Sequence, residues 1–280
     1  MPLMTYALKN NKLIHVDDVE SGIACGCICP ACGSNLIARK GEINSHHFAH
    51  SSSSECKGGY ETSLHLLAKE ILSETGEILL PPIKLIDECN ATNACLIGKH
   101  RIKKIDNVYT EKRTGDIIPD LILEKGKREL IVEIYVTHKV DDAKLQKIKD
   151  LGISAIEIDL SKTDKSISKQ QLKDLLLNNV ENKRWLYNSK AAKKFAEICE
   201  DSEKKPVISR GFANHVDFCP IEARTWKGKR YTNLPYANLI DDCFDCQYLI
   251  KYYDDGINEY IICNGKNKTI DKIIKNKGEN

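Results

Sequence analysis

The sequence contains no apolar segment long enough to span a membrane, and residues Met1 to Leu13 lack the apolar stretch of a signal peptide. We therefore expect a cytoplasmic protein with no membrane partner. The chain also lacks a strong charge of one sign, because 42 Lys and Arg face 40 Asp and Glu, for a formal net charge of +2. Overall charge thus neither favours nor excludes nucleic-acid binding. With 280 residues, 41% of them hydrophobic, the chain can build one large domain or about two to three small ones.

The chain has 12 cysteines. Without a secretion signal, disulfides are not expected, and grouped cysteines point to metal binding. Two groups stand out, one near each end: Cys25, Cys27, Cys29, Cys32 and Cys56, then Cys219, Cys243, Cys246 and Cys263. Cys199 stands alone, and Cys89 and Cys95 are expected to stay free or to enter a core.

The N-terminal group predicts a structural zinc site. Cys29-Pro-Ala-Cys32 is followed, after a short spacer, by His47-Phe-Ala-His50, and two Cys with two His are ligands of tetrahedral zinc. The predicted ligands are therefore Cys29, Cys32, His47 and His50. Any of Cys25, Cys27, His46 and Cys56 could substitute for one of them. The alternative is a set of buried thiols beside a surface histidine cluster.

Residues 118–138 predict a β-hairpin that sets two carboxylates opposite each other. Gly126-Lys127 suits a two-residue turn with glycine at its first central position. A hairpin centred there pairs Asp120 with Glu133. Like charges directly opposite destabilise a sheet unless a cation lies between them. The pair therefore predicts a metal site of the kind that a metal-dependent phosphodiesterase needs.

A helix predicted from Tyr60 to Glu74 carries a third acid. Its apolar face holds Leu64, Ala68, Ile71 and Leu72, and Glu61 falls inside that face, with His65 and Lys69 along its edge. A glutamate on a buried face needs a partner, and a metal would supply one. The alternative is a first-turn glutamate that is favoured by the helix dipole and keeps its carboxylate in water.

The centre of the chain predicts an α/β sheet. Ile102 to Tyr109 reads as a strand, Asp141 can cap a helix that runs through Leu151 and stops at Gly152, and Ser154 to Leu160 reads as a strand. Strand, helix and strand in this order imply a parallel crossover. Ile131 and Tyr135 share a strand face with Glu133, which indicates that this face is partly covered.

The C-terminal third predicts two helices and a second zinc module. Ser168 to Glu203 reads as helical, with Trp185 and Leu186 in the second helix, and a boundary follows at Lys204-Lys205-Pro206. Beyond it, a zinc ribbon is predicted, with buried thiols as the alternative; its ligands would be Cys219, Cys243, Cys246 and Cys263. The loop with Trp226, Lys227, Lys229, Arg230 and Tyr231 could stack on nucleic acid or be a solvated loop.

These motifs together resemble the competence protein CoiA-like family, within the PD-(D/E)XK restriction-endonuclease-like nucleases. The matching residues are Cys29, Cys32, His47-Phe-Ala-His50, Glu61, His65, Lys69, Pro119-Asp120 and Glu133. The resemblance implies a restriction-endonuclease-like mixed sheet core flanked by helices. The expected domains are a zinc-finger segment at 1–57, the nuclease-like core at 58–162, a helical connector at 163–205 and the zinc ribbon at 206–280.

The resemblance also implies a Mg²⁺- or Mn²⁺-dependent deoxyribonuclease. Glu61, Asp120 and Glu133 would hold the metal, with His65 assisting. Tyr135 stands where the pattern has lysine, and Lys69 could take over that role, with Lys139 and Lys144 as weaker candidates. DNA is the expected partner, together with a protein such as a recombination or defence ATPase. The rival interpretation is a catalytically degenerate nuclease core that serves as a DNA-binding or adaptor protein.

Overall fold

A computed structural model describes residues 3–51, 56, 58–84, 95–97 (backbone only), 100–164, 167–211, 213–227 and 233–268. The chain divides into two compact units. Unit 1 comprises Met1–Pro81 and Lys99–Tyr187, and unit 2 comprises Pro82–Gly98 and Asn188–Asn280. Among the described residues, no helix combines the length and the apolar character that crossing a membrane requires.

Within the described residues, the α-helices are α1 Gly59–Thr75, α2 Asp142–Leu151, α3 Lys169–Asn178 and α4 Ser189–Glu200. The strands of the first half are β1 Tyr6–Lys9, β2 Lys12–His15, β3 Leu36–Arg39, β4 His47–His50, β5 Glu77–Leu80, β6 Ile83–Lys84, β7 Cys95–Ile97, β8 His100–Lys103, β9 Asn107–Thr110, β10 Leu121–Lys125 and β11 Arg128–Tyr135. Those of the second half are β12 Ser154–Asp159, β13 Lys183–Tyr187, β14 Glu203–Pro206, β15 Ile208–Arg210, β16 Ala213–Asp217, β17 Arg224–Thr225, β18 Pro235–Asn238, β19 Leu249–Asp254 and β20 Glu259–Cys263.

A five-stranded mixed sheet, in the order β13-β12-β11-β10-β9, organises unit 1. Strands β10 and β11 pair antiparallel with Leu121 opposite Val132 and Lys125 opposite Arg128, which is the register predicted from the Gly126-Lys127 turn. Gly126 has a φ of +59°, a value that glycine adopts without steric cost. Strands β11 and β12 are parallel, as predicted. The α/β fold class is therefore confirmed.

The crossover helix α2 begins and ends where the sequence predicts. The Asp141 side chain accepts a hydrogen bond from the backbone N–H of Lys144, which caps the first turn. Gly152 ends the helix in the left-handed conformation. The helix therefore starts close to the end of β11, on which Glu133 lies.

Helices cover both faces of the five-stranded sheet. Because side chains alternate along a strand, Leu121 and Leu123 join the core under α1 and α3, whereas Ile122 joins a second core with Ile148 of α2. Ile131 is fully buried in this second core. The prediction that the Glu133 face of β11 is covered is thus confirmed.

Two predicted elements are wrong. The stretch from Ile102 to Tyr109 contains two strands of different sheets, β8 and β9, and Lys104 between them has a φ of +56°, which ends the first strand. Trp185 and Leu186 lie in β13, antiparallel to β12, and not in a helix. The next helix, α4, begins only at Ser189, after its N-cap Asn188. Trp185 and Leu186 come before this start, and in β13 their side chains alternate between the two faces of the sheet.

The N-terminal residues of unit 1 form two hairpins, β1-β2 and β3-β4, with a core of their own. Cys25, Cys27 and Cys29 are buried in that core beside Leu36 and Phe48. Cys25 and Cys27 donate hydrogen bonds from their thiols to backbone carbonyl groups. Cys25 and Cys27 are therefore packed in the core and lie outside the zinc cluster.

Unit 2 contains a four-stranded sheet, β15-β16-β18-β17, and a three-stranded sheet, β14-β20-β19. Its described core includes Val216, Leu239, Leu249 and Ile261. Trp226 stacks on Tyr236 with ring centroids 4.0 Å apart. The rest of the predicted basic aromatic segment (Lys229, Arg230 and Tyr231) and Cys89 lie outside the described residues.

Candidate functional site

The structure gathers four metal-ligand side chains at the start of α1. The ligand atoms of Cys29, Cys32, His50 and Cys56 all lie within 4.8 Å of one another. The Cys29 and Cys56 sulfurs are 3.9 Å apart, and the Cys32 sulfur is 3.3 Å from Nε2 of His50. With a Zn–S bond of about 2.3 Å, sulfurs at two corners of a tetrahedron lie about 3.8 Å apart. The cluster could therefore hold a zinc ion.

The predicted ligand His47 lies outside this cluster, and Cys56 is there instead. His47 and His50 are three residues apart on β4, so their side chains point to opposite faces of the strand. His50 shares its face with the buried Phe48, whereas Nδ1 of His47 donates to the Ser45 carbonyl. A strand thus cannot offer both histidines to one metal ion, whereas a helix could.

The cluster packs directly against α1. A Cβ atom added to Gly59 would lie 3.2 Å from the Cys29 sulfur and 3.1 Å from Sδ of Met4. The absence of a side chain at Gly59 therefore lets the first turn of α1 approach the cluster. Glu61 lies in this first turn, so the cysteine cluster helps to fix its position.

A cleft brings the predicted acidic residues together. The cleft lies where α1 starts, where β10 begins and where β11 ends. The residues that line it are Glu61, His65, Asp120, Glu133, Ile134, Tyr135, His138, Lys139, Val140, Asp141, Lys144 and Glu157. Three of its carboxylates are those of Glu61 on α1, of Asp120 directly before β10 and of Glu133 on β11. This is the set that the hairpin and the α1 pattern predict as metal ligands.

Asp120 is held as a carboxylate by α1 and by the hairpin. Nζ of Lys69 lies 2.8 Å from Oδ1, Nδ1 of His65 lies 3.6 Å from the same oxygen, and the Ile134 backbone N–H donates to Oδ2 at 2.8 Å. Burial alone would raise the pKa of Asp120, but these three donors outweigh it and hold the pKa well below its usual range. Asp120 is therefore fully ionised at neutral pH.

Glu133 lies in a different environment, although it is next to Asp120 across the hairpin. Its side chain is only 5% exposed, and Oε2 accepts a hydrogen bond from Nζ of Lys144 at 2.8 Å. Its other oxygen, Oε1, is buried and has no hydrogen-bond partner among the described residues. Burial, with a contribution from Asp120, raises the pKa of Glu133 to about 7, although Lys144 acts to lower it.

The two lysines near the carboxylates differ in position. Lys69 is 9% exposed, lies behind Asp120 and also contacts Glu111, whose side chain is 66% exposed. Burial would lower the pKa of Lys69, but Asp120 and Glu111 together raise it. Lys144, by contrast, is 31% exposed and lines the cleft. Of the two lysines that pair with the carboxylates, Lys144 is therefore the one that reaches the cleft.

His65 and Tyr135 both line the cleft. Nε2 of His65 is buried and has no hydrogen-bond partner in the described part of the chain. Tyr135 lies at the end of β11, two residues after Glu133, and Lys139 approaches its ring at 5.4 Å from the centroid. The cleft thus offers an unused imidazole nitrogen and a phenol at its edge.

Glu157 is a wall residue that the sequence pattern did not single out. It lies beside Glu133 in the parallel β11-β12 register and is 2% exposed. Arg184 donates to Oε1 at 2.8 Å, and the Val140 backbone N–H donates to Oε2 at 3.0 Å. Glu157 therefore anchors the loop between β11 and α2. A charged residue between Ile156 and Ile158 in the middle of a strand was the signal that could have identified it.

The second group of predicted zinc ligands lies in unit 2. Cys219, Cys243, Cys246 and Cys263 line a single small cavity. Among the described residues, only the N-terminal group brings all its ligand atoms within 4.8 Å of one another. The four C-terminal thiols are thus gathered, but more loosely.

Comparison with known proteins is informative for the N-terminal part. Residues 20–58 match the family described as "Competence protein CoiA, N-terminal domain". The cluster of Cys29, Cys32, His50 and Cys56 lies entirely inside the matched segment. No curated protein and no solved structure matches the chain. Over residues 20–58, the chain is therefore similar to the N-terminal domain of competence protein CoiA.

Proposed function

We propose that the protein is a metal-dependent nuclease that hydrolyses DNA phosphodiester bonds. The observation that supports this function best is the convergence of Glu61, Asp120 and Glu133 in one cleft. Glu61 comes from α1, Asp120 directly precedes β10 and Glu133 lies on β11, so folding brings the helix to the hairpin. Such a set of carboxylates is typical of Mg²⁺ and Mn²⁺ sites.

The residues of the cleft suit a divalent cation. Oε1 of Glu133 is buried without a hydrogen-bond donor in the described residues, and a buried, unpaired carboxylate oxygen is costly unless a cation meets it. Asp120 is already ionised, and Glu61 lies in the same cleft. Asp120, Glu133 and Glu61 would hold Mg²⁺ or Mn²⁺, which, when bound, lowers the pKa of a water and offsets charge on the phosphate.

The remaining residues of the cleft have separable roles. Lys69 and His65 orient Asp120 through its Oδ1 atom. Lys144 can approach a phosphate oxygen from the cleft and stabilise its developing charge, the role expected of the lysine that Tyr135 replaces. Tyr135 is a poor base near neutral pH, but its hydroxyl group can orient water by hydrogen bonding.

The architecture is consistent with a restriction-endonuclease-like core. In unit 1, α1 packs on one face of a mixed sheet, and its first turn brings Glu61 to the hairpin that carries the other two acids. The similarity of residues 20–58 to a domain of a competence protein favours a role in the handling of incoming DNA. Competence and defence against foreign DNA are both compatible with such an activity.

The test is a cleavage assay on the purified full chain. Plasmid and single-stranded DNA are incubated with Mg²⁺, Mn²⁺ or EDTA, and cleavage is expected with either metal and not with EDTA. Asp120→Asn and Glu133→Gln should each lower the cleavage rate by about 10²-fold or more. The matched controls are Asp116→Asn and Glu129→Gln, because both residues are exposed and Glu129 lies on the same strand as Glu133.

The rival function is DNA binding without cleavage. It is favoured by the direct ion pairs of Lys69 with Asp120 and of Lys144 with Glu133, since these lysines neutralise the two carboxylates without a metal. If the wild type and Asp120→Asn behave alike with every metal, while both still retard DNA in a gel, the protein is a binding or adaptor protein. A wild type that neither cleaves DNA nor retards it in a gel would exclude both functions.

A further inference from the structure

We infer that unit 2 contains a second structural zinc site, with the four thiolates of Cys219, Cys243, Cys246 and Cys263 as ligands. The sequence spacing predicts these ligands, and the structure adds their convergence on one cavity. The cavity has a volume of about 20 Å³. A single water-sized occupant needs about 10–15 Å³, so there is room for one ion and for little else.

The four cysteines come from separate parts of unit 2. Cys219 follows β16, Cys243 ends a π-helical turn at Leu239–Cys243, and Cys263 is the last residue of β20. Cys246 follows Cys243 in a tight turn, in which its N–H donates to the Cys243 carbonyl at 3.0 Å. Two cysteines held by such a turn present both sulfurs to the same side, as in other CxxC zinc sites.

Backbone hydrogen bonds hold the segments that follow Cys246 and Cys263. The Leu249 N–H donates to the Cys246 carbonyl at 3.0 Å. The Gly265 N–H donates to the Cys263 sulfur at 3.5 Å. A donor to the sulfur orients a metal ligand and stabilises the negative charge of a thiolate.

The turn after Cys263 is shaped for close approach to Cys219. A Cβ atom added to Gly265 would lie 2.7 Å from Cγ of Pro220, the residue after Cys219, and 3.4 Å from the Cys263 sulfur. Only glycine therefore lets the two cysteine segments meet at this distance. The contact holds the segments that carry Cys219 and Cys263 close together before any metal binds.

A zinc ion at this position would cross-link the two sheets of unit 2. Cys219 extends from the four-stranded sheet, and Cys263 belongs to the three-stranded sheet. The described core between them is small, and three of its buried residues are cysteines of this set. A small core of this kind benefits from a metal that ties its elements together. Since four protein ligands leave no open position, the role is structural.

The test is the zinc content of the purified full chain, measured by native and elemental mass spectrometry. We expect two zinc ions per chain, of which Cys243→Ser removes one. The matched control is Cys199→Ser, because Cys199 lies on α4 and does not line the cavity. Cys32→Ser should also remove one ion, but from the N-terminal site. A wild type with one ion, unchanged by Cys243→Ser, would overturn the inference.

A second measurement needs no variant and covers the case in which Cys243→Ser fails to fold. The wild type is alkylated with and without a zinc chelator, and modified cysteines are identified by mass spectrometry. We expect the four cysteines of unit 2 to be protected until the chelator is added, while Cys199 reacts equally in both samples. Equal modification of Cys243 and Cys246 with and without chelator would also overturn the inference.

Discussion

Nζ of Lys144 lies 2.8 Å from Oε2 of Glu133, while Oε1 of the same carboxylate is buried without a hydrogen-bond partner in the described residues. One half of the carboxylate is thus satisfied, and the other half is not. A buried charge in this state costs folding free energy. The same arrangement favours a cation that can reach Oε1. The unpaired Oε1 atom is therefore both a cost to stability and a potential metal ligand.

The first prediction concerns pH. Burial raises the pKa of Glu133 from an ordinary value of 4.5 to about 7, so the folded state holds this proton more tightly than the unfolded state. In EDTA, the stability of the wild type should therefore fall as pH rises from about 4.5 to about 7. Glu133→Gln cannot ionise and avoids this loss. At about 1.4 kcal/mol for each pH unit, the variant should gain up to about 3 kcal/mol over the wild type by pH 8.

Urea denaturation at pH 5 and pH 8 measures this gain. Glu129→Gln is the control, because Glu129 is exposed on the same strand and its replacement should change stability equally at both pH values. A difference between Glu133→Gln and the wild type that is the same at both pH values would show that Glu133 titrates normally.

The second prediction concerns cation binding without DNA. A ligand that binds only the folded state stabilises it by about 2.7 kcal/mol at 100 times its dissociation constant. Mn²⁺ should therefore raise the melting temperature of the wild type at pH 8, and Asp120→Asn and Glu133→Gln should each abolish most of the rise. The melting temperature is measured by calorimetry on zinc-loaded protein, so that Mn²⁺ binding to the cysteine sites does not contribute to the rise. An equal rise in all three proteins would place the cation elsewhere.

The third prediction separates the two lysines. Lys69 is 9% exposed, and Lys69→Met would leave Asp120 as a buried carboxylate without its main partner, which should cost about 3 kcal/mol of stability. Lys144 is 31% exposed, and Glu133 can take up a proton when Lys144 is lost because its pKa is already raised to about 7, so Lys144→Met should cost only about 1 kcal/mol. If Lys144 stabilises charge on the phosphate, its loss should lower kcat by about 10²-fold.

The readouts for the lysines are urea denaturation and single-turnover cleavage. Lys144→Met should also bind Mn²⁺ more tightly than the wild type, because no ammonium group then competes for Glu133. Lys144→Arg keeps a charge at this position and should restore part of the rate. If Lys69→Met is stable and inactive while Lys144→Met is active, Lys69 is the lysine that replaces the one missing at Tyr135.

The hairpin was predictable because its register depends on local geometry alone. A two-residue turn at Gly126-Lys127 fixes every pair along β10 and β11, so the positions of Asp120 and Glu133 follow from counting. The capping of α2 by Asp141 and its end at Gly152 are equally local. In these cases, a few residues that are neighbours in the sequence determine the local structure.

The partners of the carboxylates were not predictable in this way. Lys144 meets Glu133 only because α2 packs across the end of β11, and Arg184 meets Glu157 only because β13 pairs with β12. Both contacts depend on how separate helices and strands pack together, and Arg184 and Glu157 are also 27 residues apart in the sequence. The same limit applies to Cys56, which reaches Cys29 through the fold of the N-terminal hairpins.

The last prediction tests the zinc ligands at the N-terminus. His50→Ala should remove one zinc ion per chain, whereas His47→Ala should remove none, because the two side chains lie on opposite faces of β4. The two variants make the same chemical change three residues apart, so each controls for the other. Zinc analysis distinguishes them directly, and equal losses from both would restore His47 as a ligand. Because Gly59 packs α1 against the Cys29 sulfur, His50→Ala should also displace Glu61 and lower cleavage, whereas His47→Ala should leave the rate unchanged.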